Sequence, residues 1–148
     1  MSIVIRSPQP EEMEAYFNLR WRVLRKPWGQ PPGSERDEQE QSCFQLAAFN
    51  HDNEVIACGR LQMNSPVDAQ IRFMAVDQLF QGKGAGKLIM TGLEAKARES
   101  GAEKIILQAR ENAVPFYLSC GFQIVEPTFL LFGEIQHFLM GKSLNNMN

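Results

Sequence analysis

The stretch Gln81-Gly82-Lys83-Gly84-Ala85-Gly86-Lys87 sets three glycines and two lysines just ahead of a helical pattern. Successive backbone N–H groups without bulky side chains, at a helix start with unpaired donors and partial positive charge, form a pyrophosphate site. Glycine is required where the main chain must approach phosphate oxygens and where a concave N–H nest needs positive φ. Lys83 and Lys87 add charge at the rim. A tight turn with a glycine-tolerant helix start is the other role open to these residues.

Spacing separates three phosphate-binding patterns. A Walker loop needs Gly where Gln81 stands and a hydroxyl where Leu88 stands. The dinucleotide fingerprint needs Gly at Lys87, and its strand should open a βαβ unit rather than end a meander. The pattern Gln-x-x-Gly-x-Gly fits Gln81, Gly84 and Gly86 in full.

The surrounding elements must position this loop. Ser2 to Arg6 is a β-branched run ended by Ser7-Pro8-Gln9-Pro10, and Glu11 to about Arg25 carries apolar residues at mostly three- and four-residue steps. Pro27 ends that helix, and the segment to Gly33 continues no regular element. Ser34 to Gln41, dense in carboxylates, is either a short helix capped by Ser34 or a solvated loop. Strands follow at Cys43–Phe49 and Glu54–Met63 around the turn Asn50-His51-Asp52-Asn53, with His51 at the surface, and a third antiparallel strand runs from about Ala69 to Val76. The glycine turn then enters a helix closed near Gly101. Lys104–Ala109 predicts a strand, Asn112–Ser119 a short helix, and Phe122–Val125 and about Leu130–Met140 two final strands. Residues 145–148 are expected to fray.

With 148 residues, 44% of them hydrophobic and ten of them Phe, the chain suits one domain over residues 1–148. Fifteen basic against seventeen acidic residues, a net charge of −2, give no positive field for nucleic acid or an anionic membrane. No apolar run reaches membrane-helix length, and the start lacks a leader pattern. Cys43, Cys58 and Cys120 fall in no metal-ligand spacing, so the expectation is a cytoplasmic protein with reduced thiols and no metal.

At the glycine loop the chain resembles the Gcn5-related N-acetyltransferase (GNAT) superfamily, and Asn112-Ala113-Val114-Pro115-Phe116-Tyr117-Leu118-Ser119-Cys120-Gly121-Phe122 is similar to that family's second block. The resemblance implies an α/β acyl-CoA N-acyltransferase fold: a mixed, mainly antiparallel sheet with splayed fourth and fifth strands, flanked by helices. It implies acetyl-CoA as co-substrate, with the pyrophosphate on Gln81, Gly82, Lys83, Gly84, Ala85, Gly86 and Lys87. The pantetheine arm would bond the exposed backbone of Met74, Ala75 and Val76. Asn112 would face the cofactor or cap a helix, or both, and Phe116 would pack beside pantetheine or serve as a core aromatic.

The implied reaction moves an acetyl group to a primary amine by direct attack in a ternary complex. Tyr117 stands where the family's tyrosine protonates the departing sulfur. Glu134 and His137 are the candidate bases, with a structural hydrogen bond as the other role for His137; Asp77 would steer water or cap a turn. Glu35, Asp37, Glu38 and Glu40 border the expected acceptor site and would favour a cationic amine, unless they are a solvated face neutralised by Arg20, Arg22, Arg25 and Lys26. Trp28 and Phe44 are candidates to line that cavity. The acceptor is expected to be a small-molecule amine or a protein lysine or N-terminal amine, and a homodimer is compatible with the resemblance. A non-catalytic acyl-CoA-binding or regulatory module, or a nucleotide-binding interaction domain, are the competing classes.

Overall fold

The computed structural model describes residues 2–144; Met1 and residues 145–148, the tail expected to fray, lie outside the described residues. The elements are β1 (Val4–Arg6), α1 (Met13–Leu24), β2 (Phe44–Phe49), β3 (Val55–Met63), β4 (Asp68–Val76), α2 (Ala85–Glu99), β5 (Lys104–Arg110), α3 (Val114–Ser119), β6 (Gln123–Leu131) and β7 (Ile135–Ser143). One sheet holds all seven strands in the order β1-β2-β3-β4-β5-β7-β6. Every neighbouring pair is antiparallel except β4 with β5. The expected mixed, mainly antiparallel α/β architecture is therefore present.

The two helix faces explain the layers. Tyr16, Phe17 and Leu19 of α1 pack with Ala47, Phe49, Cys58 and Ala75 on one face of the sheet. On the other, Ile89, Met90, Leu93 and Ala97 form the three- and four-step stripe by which α2 covers Leu46, Ala57, Leu61 and Ile71. Ile89 and Leu93 are fully buried, each contributing about 1.5–3 kcal/mol. Gly59 lets α2 come close, since a Cβ there would sit 2.7 Å from Met74 Sδ and 2.8 Å from Leu93 Cδ1.

Opposite Gly59 the ladder between β3 and β4 slips: Cys58 pairs with Ala75, but Arg60 pairs with Arg72. Phe73 and Met74 thus face one residue, a β-bulge, and Phe73 takes φ 60° to make it. Parallel pairing of β4 with β5 runs from Asp68–Lys104 to Ile71–Leu107 and ends there. From Arg72 to Val76 the β5-facing side of β4 has no strand partner, roughly 16 Å of open edge at about 3.3 Å per residue. The bulge sits where the strands part, so this is the splay that the resemblance implied.

Three expectations need correction. The final hairpin turns at Phe132 and Gly133, with φ of 54° and 71°, so residues 130 and 131 belong to β6 and β7 begins at Ile135. Pro127 obscured this in the sequence; it is tolerated because β6 is an edge strand, exposed along nearly its whole length. Ser34–Gln41 takes the loop alternative rather than the capped helix, and only in part a solvated one: it forms turns, ending in the 3-10 turn Glu40–Ser42, with Arg36, Glu38, Gln39 and Gln41 exposed but Glu35 buried. Lys26–Trp28, expected to be irregular, is a 3-10 turn containing Pro27. Among the described residues no helix is long and apolar enough to cross a membrane.

Candidate active site

The glycine loop leaves the end of β4, passes a 3-10 turn at Gln78–Phe80, and enters α2. Asp77 caps that turn by accepting from the Leu79 N–H at 2.9 Å and also meets Arg22 at 3.3 Å, so it fills the cap role. Gly82 and Gly84 hold φ of 80° and 87°, and nothing lies within 4 Å of where their Cβ atoms would be. The space beside the main chain is open, as a phosphate cradle requires, and Gly84 is the N-cap of α2 with its first-turn N–H groups beyond it. Lys83 and Lys87 are exposed beside it. Gln81 is exposed, its Nε2 donating back to the Val76 carbonyl at 3.4 Å.

Gly86 has a different task. A Cβ there would meet the Phe116 ring at 3.2 Å and Val76 Cγ2 at 3.5 Å, so α2, α3 and the end of β4 converge on that point. Phe116 braces the cradle against the open edge carrying Met74, Ala75 and Val76. Asn112 is exposed in the 3-10 turn Glu111–Ala113; the N-cap of α3 is Ala113, so Asn112 caps nothing.

Tyr117 packs edge-on between Phe116 and Phe122, with ring centroids 5.2 Å and 6.1 Å away, and is 8% exposed. Its hydroxyl makes no hydrogen bond within the described residues and yet is not sealed off, since the buried unpartnered side-chain atoms are Nε of Arg20 and of Arg60. Burial first, and then the Cys120 thiol, raise its pKa, while Arg110 opposes. A phenol in this setting remains protonated and available as a donor.

On the α1 face, β5 and β7 pair Arg110 with His137. The buried His137 stacks on Phe129 at 4.4 Å, and its Nδ1 lies 3.0 Å from the Ile135 carbonyl. A carbonyl only accepts, so Nδ1 carries the proton in that contact and Nε2 keeps its lone pair. Burial, outweighing the Ile135 bond, lowers the His137 pKa, and Arg110 and Arg25 add to that. The structural hydrogen bond and a free basic nitrogen coexist. Glu134 is separated from it: it lies exposed in the hairpin turn, its carboxylate without a partner among the described residues.

The acidic segment is held by arginines. Arg60, fully buried, grips both Asp37 oxygens at 2.7 and 3.0 Å and meets Glu40 at 3.0 Å. Arg20, also buried, meets Glu40 at 2.7 Å; Arg72 reaches Asp37 at 3.2 Å, and Glu35 meets Arg36 at 3.1 Å. The Arg60 bond holds the Asp37 carboxyl below its ordinary value. Among the described residues, of the four carboxylates only Glu38 is both exposed and without an ion pair, so the segment no longer points to a cationic acceptor. Phe44 packs on the α2-side core under Lys96 and lines nothing here, whereas Trp28 lies under the Arg110 guanidinium at 4.6 Å.

The profile of the acetyltransferase (GNAT) family matches residues 13–122. The chain belongs to the GNAT family. The N-acetyltransferase YjcF of Bacillus subtilis, itself uncharacterised, is 30% identical over 132 residues, 89% of this chain and 93% of its own. The PaiA N-acetyltransferase of Thermoplasma acidophilum, solved with coenzyme A, aligns at TM-score 0.76 and 18% identity over 97% of this chain and 99% of its own. An aminoglycoside 6'-N-acetyltransferase complexed with coenzyme A aligns at 0.80 and 15%, over 100% and 99%. At such identities these structures show a common GNAT fold.

Sequence reasoning about this GNAT chain missed the bulge at Phe73 and the pair Arg25 and Arg110. The ring of Phe73 is surrounded by guanidiniums, those of Arg20, Arg72, Arg60 and Arg25 at 4.3, 4.6, 4.9 and 5.8 Å. One available signal was parity: Arg110 ends a strand whose Ile105, Leu107 and Ala109 face the opposite side, and antiparallel pairing then puts it beside His137.

Proposed function

We propose that this GNAT protein is an acetyl-CoA-dependent N-acetyltransferase in which a primary amine attacks the thioester directly within a ternary complex. The observation that carries the reading is the open edge of β4, which starts at the Phe73 bulge and leads to a glycine cradle with open space at the Gly82 and Gly84 Cβ positions. Acetyl-CoA fits that arrangement as co-substrate: its diphosphate on the main chain of residues 81–87, its arm along Met74 to Val76, and Asn112 and Phe116 beside it. The acceptor is a small-molecule amine or a protein lysine or N-terminal amine. The three free thiols suit a reducing compartment.

The chemistry demands two proton movements. An amine of pKa about 10.4 is neutral in roughly one molecule of a few thousand at pH 7, so a proton must leave it. Nε2 of His137, neutral at pH 7 because its pKa is lowered, is the group we assign to that task, directly or through water. Glu134, exposed at its turn, is at most a relay to solvent.

Tyr117 supplies the second proton. At reference values a phenol giving its proton to a thiolate is uphill by about 2 kcal/mol, and burial of Tyr117 adds to that. The hydroxyl therefore serves as a hydrogen-bond donor to sulfur that yields its proton only as the bond breaks. Holding amine and carbonyl in contact accounts for more, about 7 to 11 kcal/mol of barrier.

Thiol release from acetyl-CoA across an amine panel tests the activity. Tyr117→Phe is expected to lower kcat roughly ten- to a thousandfold while CoA affinity, by calorimetry, stays unchanged. Full turnover in that variant would remove the acid assignment.

A further inference from the structure

On the α1 face of the sheet six arginines have an acidic partner: Arg6 has Glu12, Arg20 has Glu40, Arg22 has Asp77, Arg36 has Glu35, Arg60 has Asp37 and Glu40, and Arg72 has Asp37. Arg25 and Arg110 form no ion pair among the described residues. Both are only partly exposed, and both point at one atom: the Leu24 carbonyl, at the end of α1, accepts from Arg110 Nη2 at 2.7 Å and from Arg25 Nη1 at 3.3 Å. Arg25 is steadied further by its Nε bond to the Ser34 carbonyl at 3.1 Å. Aromatic rings wall the pair, with Trp28 at 4.6 Å from Arg110, and Phe132 and Phe73 at 5.7 and 5.8 Å from Arg25.

Two like charges gathered on a helix C-terminus find only a fractional negative charge there, less than one carboxylate would supply. Burial, then the charge of Arg25, pulls the Arg110 guanidinium down to about 10; burial, then Arg72 and Arg20, lower that of Arg25, with Glu35 opposing from beyond ion-pair distance. Half-buried cations without a bonded acid are destabilising, and an arriving oxyanion relieves them. Each planar fork also matches a carboxylate in shape.

We propose that Arg25 and Arg110 form an oxyanion subsite on the acceptor side of the gap, selecting an amine that also carries a carboxylate. The inference rests on the acetyltransferase reading and names its acceptor class. Arg110 stands directly across from His137, and such cross-strand neighbours have Cβ atoms about 4.5–5.5 Å apart. Anchoring the carboxylate at Arg110 therefore brings a nearby amine to the Nε2 atom assigned to take its proton. That favours a short spacer, as in an α- or β-amino acid, and the rings of Trp28, Phe73 and Phe132 offer apolar surface to its side chain. A phosphonate or phosphate would meet the same guanidiniums, and so would a donor phosphate placed there instead of on the glycine loop.

The test uses the full chain with L-amino acids, their C-terminal amides, the matching decarboxylated amines and aminoalkylphosphonates as acceptors. The proposal expects kcat/KM at least tenfold higher for a free acid than for its amide, and expects that ratio to fall toward one in Arg110→Gln and in Arg25→Gln. CoA affinity, by calorimetry, should stay within twofold, which separates an acceptor subsite from a donor phosphate site. Preference for the phosphonate over the carboxylate overturns the acceptor class named here, as does an acid-to-amide ratio near one in the wild type or an unchanged ratio in both variants.

A binding arm does not depend on turnover. Amino acids, but not their amides, should raise the melting temperature of the CoA-saturated protein, and Arg110→Gln should abolish that rise. Absence of the rise with every acid overturns the subsite; failure of CoA itself to bind overturns the acetyltransferase reading instead, and the acids are then titrated alone. If Arg110→Gln does not fold, Arg110→Lys, which keeps charge and loses the fork, should lower the acid-to-amide ratio at least threefold.

Discussion

The two sides of the gap between β4 and β5 are built from different materials. The α2 side is main chain: Gly82 and Gly84 with open space beside them, and the Phe116 ring behind Gly86. The α1 side is side chain: guanidiniums, aromatic rings and an imidazole drawn from α1, β4, β5, β7 and the loops between them. A backbone cradle would bind what every acyl-CoA shares, because N–H groups are the same whatever the residue. A side-chain wall can differ from one relative to the next, so on the proposed function discrimination among acceptors would belong there.

Within that wall the arginines divide again, into those with acids and those without. The division predicts opposite phenotypes. Asp37→Ala leaves Arg60 fully buried with only Glu40 and Gln62, and should cost about 3 kcal/mol of stability in urea unfolding. Arg110→Gln should cost under about 1 kcal/mol while changing acceptor choice. Equal losses of stability in the two variants would erase the distinction. The same ion pair sets an acid limb. The Asp37 pKa is lowered on folding, so its contribution is present above the unfolded value of about 3.9 and disappears as pH falls through the folded one. Asp37→Asn should flatten that limb in a stability-against-pH series.

The next effect in size belongs to the opposite side. Gly84→Val forces a branched side chain into a left-handed conformation, at roughly 1–2 kcal/mol, and fills the cradle, so CoA affinity should fall by roughly ten- to a hundredfold in calorimetry. An unaltered affinity would move the diphosphate elsewhere. The smallest effect concerns His137. Its pKa is depressed below about 6.5, so kcat/KM should be level above pH 7 as far as this group is concerned and fall as pH drops through the folded value. His137→Gln should lower the plateau and remove the limb; a retained limb assigns it to another group.

The same contrast explains what could be read from residues alone. The cradle is contiguous, its glycines answer to local φ, and Gln81, Gly84 and Gly86 stand at fixed spacing, so its place in the chain was legible. The order of strands and helices was legible too, because Ile89, Leu93 and Ala97 carry helical period. The proposed acceptor wall was legible only at His137: Arg25, Phe73, Arg110 and the last hairpin lie far apart in sequence and meet through the sheet. The carboxylates at 35 to 40 misled because a run of charges resembles a wet surface, and only Arg20 and Arg60, lodged inside the fold, convert it into internal structure. The last hairpin was misjudged because Pro127 suits an edge and no interior strand, and nothing local announces which strand will be outermost.

The extra residue at Phe73 changes the phase of β4. Ala69 and Ile71 below it, and Met74 and Val76 above it, turn toward α2, although an uninterrupted strand would have sent the upper two the other way. One thread is thereby a wall of the interior along its lower half and a free rail along its upper half. Deleting a single residue there would remove the change of phase and bring the two halves into step.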